Sequence, residues 1–291
     1  MQEFIGFIGT GVMGEAMCRN LAMKGSDKVL AYDLNSVPLE RLASHGVTAM
    51  DSPASLAIDA HTILLSLPAG QQVREICLEE GGLIAHLKEG QCVIDTGTSP
   101  PALARELYAT FGTNGVAFAD APVARTRQAA MDGTLSIMVG AEDEVFTRIC
   151  PILDCMATDV THCGGPGAGQ IVKILNNMML FQNCAAIAEA LAIASRTGLD
   201  ETLFLETVAK SSGDSFALRN HAMKAMLTRN YPEGAFSARY ALKDLAYAID
   251  LAMAENVELK GGQLARERLE QAVADGLGER YHPVVREIID S

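Results

Sequence analysis

Two short segments, far apart in the chain, carry residue types that could do chemistry together. Gly9-Thr10-Gly11-Val12-Met13-Gly14 follows the apolar run Phe4-Ile5-Gly6-Phe7-Ile8. Glycines in this spacing, between a strand and a helix, suit a dinucleotide pyrophosphate. The first makes the tight turn, the second lets the backbone approach the ligand, and the third packs helix against strand. The helix N-terminus then faces the negative charge. The second segment is Gly169-Gln170-Ile171-Val172-Lys173-Ile174-Leu175-Asn176-Asn177. Lys173 and Asn177 stand at i and i+4 and share one helix face. A hydride carrier plus a proton donor is the minimum for oxidising an alcohol or reducing a carbonyl. Lys173 would exchange the proton with the substrate oxygen while Asn177 positions it. Neither segment suffices alone, because glycines are common in turns and a lysine can snorkel from a core helix.

Asp33 ends the next apolar run, 19 positions beyond Gly14. A carboxylate there would bind the adenine-ribose 2′-hydroxyl and repel a 2′-phosphate. No arginine directly follows it, since the chain continues Leu34-Asn35. The expected cofactor is therefore NAD (NADH) rather than NADP, with Asp33 and Leu34 in its binding set. A plainer alternative makes Asp33 a turn residue ahead of Asn35 and Pro38.

These residues need elements to hold them. Strand-like and helix-like segments alternate through the first half, from Phe4–Ile8 and Gly14–Lys24 to Ala117–Ala121 and Leu135–Val139. Such alternation implies a parallel sheet covered by helices. Continuous apolar strands such as Thr62-Ile63-Leu64-Leu65 fit burial on both faces. After Cys163-Gly164-Gly165-Pro166-Gly167 the period changes. Ala168 to Arg196 can run as one helix, with no Pro or Gly between Gly169 and Gly198, and the remainder also reads as helical. The expected fold class is α/β: an N-terminal Rossmann-type parallel-sheet domain over 1–163, then an all-α domain over 164–291 joined through a long helix.

The composition is that of a globular protein, with 49% apolar and 20% charged residues in 291. A net charge of −13 and the lack of a Lys/Arg-rich run give no electrostatic footprint for nucleic acid or an anionic membrane surface. No stretch reaches the ~18–20 uninterrupted apolar residues of a membrane span. The chain enters a strand pattern directly, with acidic Glu3 and no positive leader region. Seven scattered cysteines in apolar contexts suit buried thiols in a reducing cytoplasm. Cys150 and Cys155 find no matching Cys/His pair, so no metal site is expected.

Together, Gly6-Phe7-Ile8-Gly9-Thr10-Gly11-Val12-Met13-Gly14, Asp120-Ala121-Pro122-Val123, Gly133-Thr134-Leu135 and Gly169-x-x-x-Lys173-x-x-x-Asn177 resemble the β-hydroxyacid dehydrogenases. The resemblance covers essentially the whole chain. It implies a Rossmann domain, a helical C-terminal domain, a homodimer or homotetramer, and NAD(P)-dependent oxidation of a small anionic 3-hydroxy acid. By position it makes Lys173 the catalytic lysine and Asn177 the substrate-orienting amide. It assigns Leu67-Pro68 to a cofactor-contacting turn, Thr98 to the nicotinamide ribose, and Lys243 of Lys243-Asp244-Leu245 to the cofactor. For Lys243-Asp244 the plainer alternative is a solvated helix face. Ser212, in Ser212-Gly213-Asp214-Ser215, falls where the helical domain of the family closes over substrate. A dinucleotide-binding module without catalysis is the rival of another class; the presence of Lys173 speaks against it, as it does against the imine reductases on this fold.

One departure concerns the substrate. Most members read D-x-P-V-S-G-G in the loop that holds the substrate carboxylate, whereas this chain reads Asp120-Ala121-Pro122-Val123-Ala124-Arg125-Thr126-Arg127. An arginine brings a full charge and a planar donor fork suited to an oxyanion. The P-V-x-R-T pattern, with Asn176 beside Asn177, resembles the sulfolactaldehyde reductase branch, which holds a sulfonate with this arginine. The resemblance implies reduction of 3-sulfolactaldehyde, with Val123, Ala124, Arg125, Thr126, Asn176 and Ser212 at the substrate. An ordinary 3-hydroxyisobutyrate or four-carbon semialdehyde dehydrogenase is the alternative, and Arg125 could instead pair with an acidic neighbour. Arg127 is expected to face solvent.

Overall fold

Six strands, β1 (Phe4–Ile8), β2 (Lys28–Tyr32), β3 (Thr48–Ala49), β4 (Thr62–Leu65), β5 (Cys92–Asp95) and β6 (Ala117–Asp120), pair in parallel in the order β3-β2-β1-β4-β5-β6. The structure is a computed structural model that describes residues 4–290. Helices α1 (Gly14–Lys24), α2 (Ser36–Ala43), α3 (Pro53–Asp59), α4 (Gly70–Leu78) and α5 (Pro101–Gly112) connect the strands. This is the doubly wound dinucleotide-binding order, which reverses direction between β1 and β4. The strands read as apolar runs because both faces are covered. Phe7, Val29, Leu64 and Ile94 enter one core layer, and Ile8, Leu30, Ile63 and Val93 the other.

The far edge is mixed. It consists of β7 (Val123–Ala124), α6 (Arg127–Asp132), β8 (Leu135–Gly140), α7 (Asp143–Leu153) and β9 (Ala157–Gly164). Strand β8 runs antiparallel to β6 and β7, and β9 parallel to β8. The six-residue α6 is too short to carry the chain back along the sheet. Gly133 ends it in the left-handed region at φ 66°, so the chain re-enters the sheet reversed.

Helix α8 (Ala168–Arg196) is continuous over 29 residues, as its sequence predicts. By length and composition alone it could cross a membrane, with mean hydropathy 1.4 in its best window. Ile174, Phe181, Cys184, Ala188 and Leu191 from α8 enter the core of the second compact unit. That unit also contains α9 (Glu201–Val208), a π-helical segment Leu218–Met226, α10 (Ala238–Ala254), α11 (Lys260–Ala274) and α12 (Val285–Asp290). The two units divide between Lys173 and Ile174, within α8 rather than before it, because the first turns of α8 are hydrogen-bonded into the α/β unit.

Candidate active site

The turn after β1 shows three glycines doing three different jobs. Gly9 adopts φ +94°, and a Cβ there would lie 2.3 Å from the Ser66 carbonyl oxygen. A Cβ on Gly14 would lie 2.0 Å from the Gly9 carbonyl oxygen, so this glycine sets the approach of α1 to β1. A Cβ on Gly11 would meet nothing within 4 Å. The second glycine thus opens onto space, where a ligand would come against bare backbone. No side chain caps the N-terminus of α1, which leaves that helix end to an anion. Val12 beside it is half exposed and Thr10 is buried.

Asp33 lies directly after β2. Its Oδ2 accepts the Thr10 N–H at 2.5 Å and its Oδ1 the Asn35 N–H at 2.8 Å. It therefore acts as the turn residue of the plainer alternative and also ties that turn to the glycine loop. A carboxylate offers about four acceptor positions, so it retains capacity for ribose hydroxyls. Leu34 is 94% exposed beside it. Arg41 is the first arginine after Asp33, and its fork is taken by both oxygens of Glu15 at 2.6 and 2.7 Å. The residues present fit a dinucleotide at this turn.

Leu67 and Pro68 follow β4, and Leu67 touches the glycine turn: a Gly9 Cβ would lie 3.1 Å from Leu67 Cδ2. The next loop, after β5, is tied down on several sides. Asp95 accepts the Gly97 N–H and the Ser99 hydroxyl at 2.9 and 2.7 Å. Thr98 between them is buried. Gln170, from the first turn of α8, accepts the Ser99 N–H through Oε1 and donates to the Gly97 carbonyl through Nε2, both at 2.9 Å.

The first turn of α8 is itself capped by Asp120, at the end of β6. The Asp120 carboxylate accepts the N–H of Gly167 at 2.6 Å and of Gln170 at 2.8 Å. Burial pushes Asp120 up to about 6, against the opposing pull of those amide donors. The helix sits so close that a Cβ on Gly169 would lie 2.3 Å from the Met138 carbonyl oxygen. One turn on, Lys173 is 8% exposed. Asp120 and Gln170 stand within the sequence motifs, but their partners lie too far along the chain for spacing to show a role. The one signal for Gln170 was a polar side chain three residues before Lys173 in an apolar stretch.

Further along α8, Asn177 is buried. Its Nδ2 donates to Asp244 Oδ2 at 2.7 Å, and its Oδ1 accepts from Asn176 Nδ2 at 3.1 Å. Asp244 is 1% exposed, so it does not belong to a solvated helix face; it fixes which way the Asn177 amide points. Lys243 stands 3.1 Å from Asp244 Oδ1 and lies over the rings of Tyr240 and Tyr247.

The substrate-loop residues divide. Val123 and Ala124 form β7, half-buried against β8. Thr126 caps α6 through its hydroxyl, which accepts the Ala129 N–H at 3.3 Å. Arg125 is exposed and holds φ 85°, a left-handed conformation that favours glycine. Its guanidinium donates to the Thr134 carbonyl, the Thr158 hydroxyl and Asp159 at 2.6, 2.9 and 2.6 Å. Arg125 therefore pairs with an acidic neighbour, Asp159. Arg127 and Ser212 are exposed.

Known proteins match this chain along nearly its whole length. Residues 4–165 match the NAD-binding domain of 6-phosphogluconate dehydrogenase. Residues 167–287 match the NAD-binding domain of NADP-dependent 3-hydroxyisobutyrate dehydrogenase. A 2-(hydroxymethyl)glutarate dehydrogenase from Eubacterium barkeri is 34% identical over 274 residues, covering 94% of this chain and 90% of the relative. A 3-hydroxyisobutyrate dehydrogenase from Pseudomonas aeruginosa is 35% identical over 267 residues, covering 90% and 89%. The structure of Mycobacterium tuberculosis 3-hydroxyisobutyrate dehydrogenase with L-serine superposes with a TM-score of 0.89 at 28% identity, covering all of both chains. With the strand order, the glycine turn and the Lys173/Asn177 helix in place, this chain belongs to the β-hydroxyacid dehydrogenase family, as an NAD(P)-dependent oxidoreductase.

Proposed function

We propose that the chain interconverts a small anionic 3-hydroxy compound and its aldehyde using NAD, and that 3-sulfolactaldehyde is the substrate it reduces. The observation that carries the reaction type is Lys173, buried one helical turn from Asn177, whose amide is already oriented by Asp244. When bound, the nicotinamide supplies or accepts the hydride. Lys173 would give a proton to the nascent alkoxide in reduction and take it back in oxidation. With its oxygen facing Asn176 and one N–H on Asp244, Asn177 has its second N–H for the substrate oxygen. The preference for NAD follows from Asp33 beside the glycine turn and from an Arg41 fork committed to Glu15.

The substrate assignment rests on Arg125. A non-glycine residue held at φ 85° carries backbone strain, and strain of this kind gathers at functional positions. The pair with Asp159 is solvent-exposed on both sides, so an arriving anion could replace it at little cost. A carboxylate substrate is the second reading. It is favoured by that same pair, which occupies part of the fork, and by relatives named for hydroxyisobutyrate and 2-(hydroxymethyl)glutarate. Assembly as a homodimer or homotetramer in the cytoplasm belongs to the proposal.

The test is NADH oxidation with sulfolactaldehyde and with carboxylate semialdehydes of matched length, on wild type and Lys173→Ala. The expected result is a sulfonate preference in the wild type and a loss of roughly 100-fold or more in kcat for Lys173→Ala. Near-normal turnover by that variant would overturn the role of the lysine. A wild type that works only on carboxylates would leave the second reading standing.

A further inference from the structure

Gln170 is fully buried, and each polar group of its side chain and its backbone N–H has a defined task. Its Oε1 accepts the Ser99 N–H, its Nε2 donates to the Gly97 carbonyl, and its backbone N–H donates to Asp120 Oδ2. The side-chain amide thus pairs with the loop after β5 as a neighbouring peptide would, one donor and one acceptor against one carbonyl and one N–H. The same loop is held from its other side by Asp95. It is also in contact with the glycine turn through a single residue. A Cβ on Gly97 would lie 2.9 Å from the Leu67 carbonyl oxygen, and one on Gly9 would lie 3.1 Å from Leu67 Cδ2. Gly9, Leu67, Gly97 and Gln170 therefore form a continuous line of close contacts from the glycine turn to the first turn of α8. That line runs past the carboxyl ends of β1, β4 and β5, where doubly wound sheets bind their ligands.

We propose that Gln170 is a positioning residue that holds the 97–99 loop and the Lys173 turn in one register, so that cofactor-side backbone and proton donor are set together. The residue type follows from the geometry. Glutamate as a carboxylate could accept from Ser99 but could not donate to Gly97. Leucine could do neither. Asparagine is one methylene short of both. The inference rests on the dehydrogenase reading, because it gives Lys173 a task.

The experiment uses the full chain and the variants Gln170→Leu and Gln170→Glu. NAD+ affinity is measured by calorimetry, and hydrogen exchange of the loop peptide 96–103 is followed in cofactor-free protein. Steady-state kinetics are added where turnover exists. Gln170→Leu should exchange the loop amides faster and weaken NAD+ binding by roughly tenfold, the effect expected when one buried donor–acceptor pair is lost. Its kcat should fall by a similar factor, with KM for the hydroxy compound within about threefold. Gln170→Glu adds a readout that mere packing would not move. Once protonated, its carboxyl both donates and accepts, so its NAD+ affinity relative to wild type at the same pH should recover as pH falls; Gln170→Leu should show no such recovery.

Gln170→Leu with wild-type NAD+ affinity and wild-type loop exchange overturns the inference. If that variant fails to fold, Gln170→Glu decides alone: a pH-independent deficit, or none, also overturns it. A wild type that binds NAD+ but turns over no hydroxy compound defeats the proposed function, while binding and exchange still decide the role of Gln170. A wild type that binds no NAD+ overturns both.

Discussion

Asn177 Nδ2 donates to Asp244 Oδ2 at 2.7 Å across 67 positions of sequence. With Asn176 Nδ2 on the other end of the amide, this bond fixes the orientation of the Asn177 side chain, which the proposed mechanism uses to present an N–H. Replacing Asp244 with alanine leaves that amide free to turn. A drop of roughly tenfold in kcat is expected, together with a lower thermal midpoint from the unpartnered buried amide. Steady-state kinetics and a melting curve on Asp244→Ala measure both. Unchanged kcat would remove Asp244 from the site.

The glycine turn separates fold from ligand. Alanine at Gly14 or Gly9 places a Cβ 2.0 or 2.3 Å from backbone oxygen. Either change should destabilise the α/β unit by ~1–3 kcal/mol or more. Alanine at Gly11 meets open space, so its melting temperature should match wild type while NAD+ binding weakens by roughly tenfold. Melting curves and calorimetry on the three variants check the split. A Gly11→Ala protein with wild-type affinity would place the pyrophosphate elsewhere.

Arg125→Gly tests the substrate loop. Glycine accepts φ 85° freely, which relieves backbone strain of about 1 kcal/mol. The Asp159 pair and the bonds to Thr134 and Thr158 that it deletes are exposed and contribute little. Stability should therefore hold or rise slightly. The ratio of kcat/KM for sulfolactaldehyde over a carboxylate semialdehyde should fall by roughly tenfold or more, as expected when a charge-assisted hydrogen bond is lost. An unchanged ratio would assign Arg125 to its contacts with Thr134, Thr158 and Asp159.

His221 and His282 predict an acid weakness in the helical unit. Burial drives His221 down to about 4, with the Lys224 charge adding to it, and burial also drives His282 well below its usual value. Both are buried neutral, with their Nε2 atoms unpartnered among the described residues. A lowered histidine pKa means that the unfolded chain takes up the proton first. Stability is thus complete above the unfolded value of about 6.5 and is lost as pH falls from there toward 4. His221 alone accounts for roughly 3 kcal/mol over that window. Asp120 acts in the opposite sense: its raised pKa makes its contribution greatest at low pH and lost as pH rises through about 6. The difference between wild type and His221→Phe isolates the histidine, and wild type should lose melting temperature relative to the variant as pH falls from about 6.5 toward 4. A difference independent of pH between 4 and 7 would contradict this assignment.

Much of the site was legible in the chain because its signals are local. The Gly9–Gly14 spacing needs only a strand before it and a helix after it. Lys173 and Asn177 need only helical periodicity. Continuous apolar runs such as Thr62–Leu65 announced a sheet buried on both sides. The reversed edge was not legible, because β7 has two residues and α6 six, too short to show a period.

By itself, then, the sequence determined the two candidate segments, a glycine turn between strand and helix and a lysine–asparagine helix face, since each is written within nine consecutive residues. Only the tertiary structure decided how those parts are held. Gln170 reaches Gly97 and Ser99 from 71 or more positions away, Asp120 caps α8 from 47 or more, and Asp244 turns the Asn177 amide from 67. Hydrogen bonds of that span leave no mark on local spacing. They exist because a buried polar group must find a partner wherever the fold brings one.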